Sequence, residues 1–160
     1  MTRPYRRRTI MGEMQMVTEY VMRAYPGATV FFRLRLGTLA PLTQEILTPE
    51  EARAATTPFA SWADAVVATD RELIIIEGKM RSHVVAIAQL QLYAGKARET
   101  PDLRPYARLP IALEMVVSIE DPAITAMARQ QGIRVAVYRP AWLPEWIAAR
   151  RRRETRPQRS

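Results

Sequence analysis

A chain of 160 residues, 48% hydrophobic, is long enough for one domain with its own core, and the absence of cysteine excludes disulfides, Cys-ligated zinc and thiol catalysis. The single histidine, His83, excludes a His-rich metal site, so any catalytic cation must be held by carboxylates and carbonyls, the ligands of magnesium and manganese. The formal net charge of +8 sits at the ends, in Arg3, Arg6, Arg7 and Arg8 and in six arginines against Glu154 from Arg150 onward, which suits a polyanionic partner, nucleic acid above all.

Residues 1–8 read as a basic N-terminal arm. Met11 to Ala24 follows as a first helix, with Met14, Val17, Val21 and Met22 at helical spacing and Tyr25-Pro26-Gly27 as its stop. Ala28 to Leu36 alternates around Val30, Phe32, Leu34 and Leu36 as a strand, with Arg33 and Arg35 on the other face. A short helical piece opens at Thr48-Pro49-Glu50-Glu51. Ala63 to Thr69 and Glu72 to Lys79 are β-rich runs that turn about Asp70-Arg71 as a hairpin. Ser82 to Ala97 forms a second long helix, with Val85, Ala88, Leu92 and Gly95 along one stripe. Pro101 to Pro110 is a loop and Ile111 to Ile119 a buried strand. Asp121-Pro122 caps a helix from Ala123 to Gln131, ended by Gly132, and Ile133 to Tyr138 is the last strand. Pro144 opens a C-terminal helix that runs into the arginines, with Trp142 and Trp146 placed to pack it down or to anchor a partner. The order describes an α/β (α+β) domain over residues 9–140, a central mixed sheet of about five strands flanked by helices, followed by a C-terminal helix and Arg-rich tail over 141–160.

The chemistry concentrates in the hairpin. A turn about Asp70-Arg71 pairs Thr69 with Glu72 and so sets Asp64 opposite Glu77, with Cβ atoms about 5 Å apart. Lys79 lies two residues beyond Glu77 and shares its face. Two carboxylates side by side repel unless a cation or proton lies between them, and a divalent ion is the natural occupant. Such an ion polarises a phosphate and acidifies a bound water, while the Lys79 ammonium orients that water or stabilises developing charge. The carbonyl of Gly78 is a further candidate ligand. The chain holds 22 arginines but only two lysines, Lys79 and Lys96, so lysine is kept where a compact charge suits the chemistry.

Asp64, then Glu77-Gly78-Lys79 after the apolar run Leu73 to Ile76, resembles the D-x(n)-E-x-K signature of the PD-(D/E)XK nuclease superfamily. Gln89-Leu90-Gln91-Leu92-Tyr93 in the next helix is similar to the Q-x-x-x-Y element of its RecB-like branch. The resemblance spans roughly residues 13–138 by element order and implies a restriction-endonuclease-like core. It implies a metal held by Asp64, Glu77, the Gly78 carbonyl and an acid of the first helix, Glu19 in preference to Glu13. Lys79 would be catalytic, and Gln89 and Tyr93 would bind DNA and shape the site.

The function expected is a Mg²⁺- or Mn²⁺-dependent deoxyribonuclease, with Arg33, Arg35, Arg6, Arg7, Arg8, Arg151 and Arg152 on the DNA backbone. The alternative is a nuclease-fold structural or adaptor protein of a DNA-containing assembly, such as a tailed-phage head-completion component, working as a homo-oligomer or with neighbouring proteins. No apolar run approaches the ~20 residues of a membrane span, and the basic N-terminus lacks the apolar stretch of a secretory signal. A cytoplasmic or virion-associated protein without a membrane partner is therefore expected.

Overall fold

Five runs of aliphatic and β-branched residues pair into one sheet in a computed structural model that describes residues 4–38 and 61–155, with side chains from Gly12 onward. The elements are α1 (Pro4–Ala24), β1 (Thr29–Leu36), β2 (Ser61–Ala68), β3 (Leu73–Arg81), α2 (Val84–Ala97), a 3₁₀ segment (Pro101–Tyr106), β4 (Ile111–Ile119), α3 (Pro122–Gln130), β5 (Ile133–Val137) and α4 (Leu143–Glu154). The strands lie in sequence order, with β1, β2 and β3 antiparallel to their neighbours and β3, β4 and β5 parallel. The parallel steps follow from the connections, since each crossover carries a helix. The short helix expected at Thr48 lies outside the described residues. Among the described residues no helix is long and apolar enough to cross a membrane.

Both faces of the sheet are covered. On one, Met16, Val17 and Val21 of α1 and Leu143 of α4 pack on Ala65, Val67, Ile74, Ile76 and Val116. On the other, Ala86, Ile87, Leu90 and Tyr93 of α2 and Ala128 of α3 pack on Val66, Ile75, Met115 and Val117. The central strands β2 and β3 are therefore buried on both sides and read as continuous apolar runs.

Several expected details change. Helix α1 begins at Pro4, so most of the basic arm is its first two turns; arginine is a good helix former, and proline suits a first helical position. In α1 the buried apolar side chains are Met16, Val17 and Val21, whereas Met22 is exposed. In α2 the buried stripe is Ala86, Leu90, Tyr93 and Ala97, while Val85 and Leu92 face outward. Helix α2 is apolar on nearly every face, so periodicity offers two stripes, and burial selects the one with Leu90 and Tyr93. The loop from Pro101 contains a 3₁₀ turn. Trp142 and Trp146 pack α4 against α1: the Trp142 indole donates to Glu19 Oε1 at 2.8 Å, and Trp146 lies against Gly12.

Candidate active site

The β2–β3 hairpin has the register that its turn residues dictate. Thr69 closes the turn by donating its amide to the Glu72 carbonyl, and its hydroxyl accepts from the Arg71 and Glu72 amides. Val66 then pairs with Ile75 and Ala65 with Ile76, which brings Asp64 to the level of Glu77 where the ladder ends. There the Gly78 amide donates to Asp64 Oδ2 at 2.9 Å, so the carboxylate is fixed by backbone as well as by strand geometry.

Glycine at 78 has its own reason. A Cβ there would overlap Val17 Cγ2 and come within 3.3 Å of Met16 Cε. Helix α1 crosses β3 at this point because position 78 has no side chain. One turn earlier on the same face of α1, Glu13 accepts from the Met80 amide at 3.2 Å.

A cleft of about 240 Å³ results at the strand ends, lined by Glu13, Arg33, Trp62, Asp64, Glu77, Lys79, Gln89 and Tyr93. Lys79 Nζ donates to Glu77 Oε1 at 3.0 Å. Glu77 Oε2 is buried without a hydrogen-bond partner. Gln89 Nε2 reaches the Tyr93 hydroxyl in a long contact of 3.5 Å. Burial is the main cause of an upward shift in all three carboxyl groups. It lifts Glu77 to about 7, helped by the charges of Asp64 and Glu13 and opposed by Lys79. Asp64 is lifted by burial against the Gly78 amide, Lys79 and Arg33, and Glu13 is lifted by burial against Lys79 and the Met80 amide. Burial also raises the Tyr93 hydroxyl, with Glu77 and Asp64 adding to the effect. These carboxyl groups outnumber the cleft's cations, Lys79 and Arg33, by one charge when ionised.

Arg33 arrives by an unusual route. Its φ is 52°, the only left-handed non-glycine residue among those described. The strand alternation breaks there: Phe31 packs on the α2 face, and beyond the break Leu34 and Leu36 pack on that same face. Arg33 therefore does not point away from Leu34's neighbours as strict alternation requires. Its guanidinium lies 3.5 Å from Asp64 Oδ1.

The cleft thus gathers Asp64, Glu77, Lys79, Gln89, Tyr93 and Arg33 of the residues singled out in the sequence. It does not include Glu19, which lies six residues beyond Glu13 and so about 120° around α1 and about 9 Å along it. Glu19 instead takes hydrogen bonds from Trp142 at 2.8 Å and Gln15 at 3.2 Å. Glu13 is the α1 acid in the cleft. Arg35 is half-buried opposite Trp62. Arg151 and Arg152 are exposed on the last turn of α4, whose Arg150 is close enough to Glu13 to favour its ionised form. The side chains of Arg6, Arg7 and Arg8 lie outside the described ones. Trp62 and the strain at Arg33 were missed from sequence; Trp62, two residues before Asp64 in a run otherwise free of large residues, was the available signal.

No protein-family model and no curated protein matches the sequence. Among solved structures, the chain is similar to a repair endonuclease from Pyrococcus abyssi, with a TM-score of 0.50 and 11% identity over 79% of this chain and 46% of that one. The fold is shared with a repair endonuclease. This is the fold that the D-x(n)-E-x-K resemblance implies. EndoMS in complex with double-stranded DNA is also similar (TM-score 0.48, 16% identity, 81% of this chain and 45% of that one). The chain spans about half the length of these two structures.

Proposed function

We propose that the chain is a nuclease that hydrolyses DNA phosphodiester bonds with the help of Mg²⁺ or Mn²⁺ at the Asp64–Glu77–Lys79 cleft. The observation that carries this reading is the pair of buried carboxylates, with Glu77 Oε2 left without a hydrogen-bond donor. A buried, unsatisfied carboxylate oxygen calls for a partner, and beside a second carboxylate a hard cation fits best.

Among the described residues no three His, Cys, Asp or Glu side chains gather closely enough to hold a metal by themselves. Magnesium commonly takes one or two carboxylates and fills its shell with water and substrate phosphate. Asp64 and Glu77 would hold the ion, with the Gly78 carbonyl as a further ligand. When bound, such an ion supplies Lewis-acid polarisation of the phosphate and a more acidic water. Lys79, held by Glu77, stabilises negative charge developing on the phosphate or orients the attacking water. Gln89 and Tyr93 form the α2 wall of the cleft and present amide and hydroxyl groups to the nucleic acid. Arg33 at the rim and Arg151 and Arg152 at the end of α4 hold the DNA backbone without reading sequence.

Crystals soaked in MnCl₂ provide the test. An anomalous peak between the carboxylates of Asp64 and Glu77 is expected; a soaked crystal without one would remove the metal from this reading.

A further inference from the structure

We propose that Trp62 and Arg33 form a subsite for one unpaired nucleotide, with its base stacked on the Trp62 indole and its phosphate beside the Arg33 guanidinium. The proposal deepens the nuclease reading and rests on it for the identity of the ligand. It assigns the substrate class as a strand with an unpaired base next to the bond that is cut.

Trp62 is the one exposed residue of β2; every other position of that strand is buried. It remains 42% exposed although it is the largest side chain of the strand. Trp62 helps line the same cleft as Asp64, Glu77 and Lys79. The other two tryptophans are committed to packing, Trp142 through its bond to Glu19 and Trp146 against Gly12. Trp62 has no comparable place in the core.

Arg33 is the second observation. The chain holds it at a φ of 52°, which an L side chain adopts only when its surroundings impose it. This bend aims the guanidinium at the cleft, 3.5 Å from Asp64, while leaving its side chain 52% exposed. A cation in that position can donate a charge-assisted hydrogen bond to a phosphate oxygen.

Stacking then chooses the substrate. A base within a duplex has both faces covered by its neighbours, so only an unpaired base can offer a face to Trp62. Every base has such a face, so the subsite is indifferent to sequence.

The test measures binding by fluorescence anisotropy with Mn²⁺ present, on a Lys79→Ala background that keeps the strand intact. A labelled oligothymidylate is compared with a blunt duplex of equal length. Adding Trp62→Ala is expected to weaken single-strand binding by about 5- to 150-fold while leaving duplex binding unchanged. Trp62→Phe is expected to keep most of the affinity. Equal single-strand affinity with and without the indole, or an equal loss on both substrates, overturns the subsite. The two readings fail separately. Trp62-dependent binding by a chain that cuts nothing in Mn²⁺ retains the subsite and retires the nuclease. Cleavage that needs Lys79 but ignores Trp62→Ala on single strands does the reverse.

Discussion

Gly78→Ala is the substitution through which packing and site geometry can be tested together. The added methyl would overlap Val17 Cγ2, which is fully buried on a helix and, being β-branched, has little rotamer freedom with which to retreat. Met16 Cε, the next atom at 3.3 Å, belongs to a flexible side chain and can yield. Relief therefore requires α1 to move off β3, at about 3 kcal/mol, the upper part of the range for overpacked cores. The same movement draws Glu13 away from the Met80 amide, because Glu13 and Val17 are one turn apart on one helix face. Val17→Ala alone loses two buried methyl groups and should cost about 2 kcal/mol. If the clash is the cause, the double variant Val17→Ala/Gly78→Ala should also cost only about 2 kcal/mol, far less than the sum of the single effects. Urea unfolding of the four proteins measures this coupling directly. Additivity within about 0.5 kcal/mol would show that Gly78 is not there to admit α1, and the explanation of this glycine would fail.

Two further outcomes follow from the cleft. The Glu77 carboxyl is raised by burial, and then by Asp64, from its ordinary 4.5 to about 7, so the folded state binds its proton more tightly than the unfolded one. Its stabilising contribution is complete below about pH 4.5 and is lost as pH rises through about 7, a fall of about 3 kcal/mol for the metal-free protein. Glu77→Gln should therefore match wild type at pH 4.5 and exceed it by about 3 kcal/mol at pH 8 in chelator, and Mn²⁺ should stabilise only wild type at pH 8; parallel urea curves at both pH values would contradict this. At Arg33 the left-handed φ favours glycine over alanine, so Arg33→Gly should be more stable than Arg33→Ala by about 1 kcal/mol in thermal unfolding. The opposite order would mean that this backbone conformation is not held by the fold.

The hairpin was legible because its evidence is local. Thr69 to Glu72 fixes the turn, the turn fixes the register, and period-two geometry carries Asp64, Glu77 and Lys79 to one strand end. The strands β3 and β4 were equally plain, since continuous aliphatic runs of that length with helical segments between them have few other uses. What was not legible depended on choices made between elements. Helix α1 offers Glu13 and Glu19 at comparable distance from its apolar positions, and only the approach allowed by Gly78 decides which acid reaches the cleft. Helix α2 is apolar on both sides, so its sequence could not say that Leu90 and Tyr93 face the sheet in place of Leu92. At Arg33 the sequence alternates cleanly, and the break in β1 exists only because that residue bends out of strand geometry beside Asp64. Trp62 follows the same pattern: its position beside the cleft is visible only once the strand end is built.

The most direct measurement of the central claim is cleavage itself. Supercoiled plasmid and single-stranded DNA are incubated with the purified chain in Mg²⁺ or Mn²⁺, with and without chelator, beside the Lys79→Ala protein. Strand scission that disappears with chelator and falls at least about 100-fold in Lys79→Ala is the expected result. Intact DNA with the wild-type chain, or scission undiminished in Lys79→Ala, would contradict the assignment of Asp64, Glu77 and Lys79 as a hydrolytic centre.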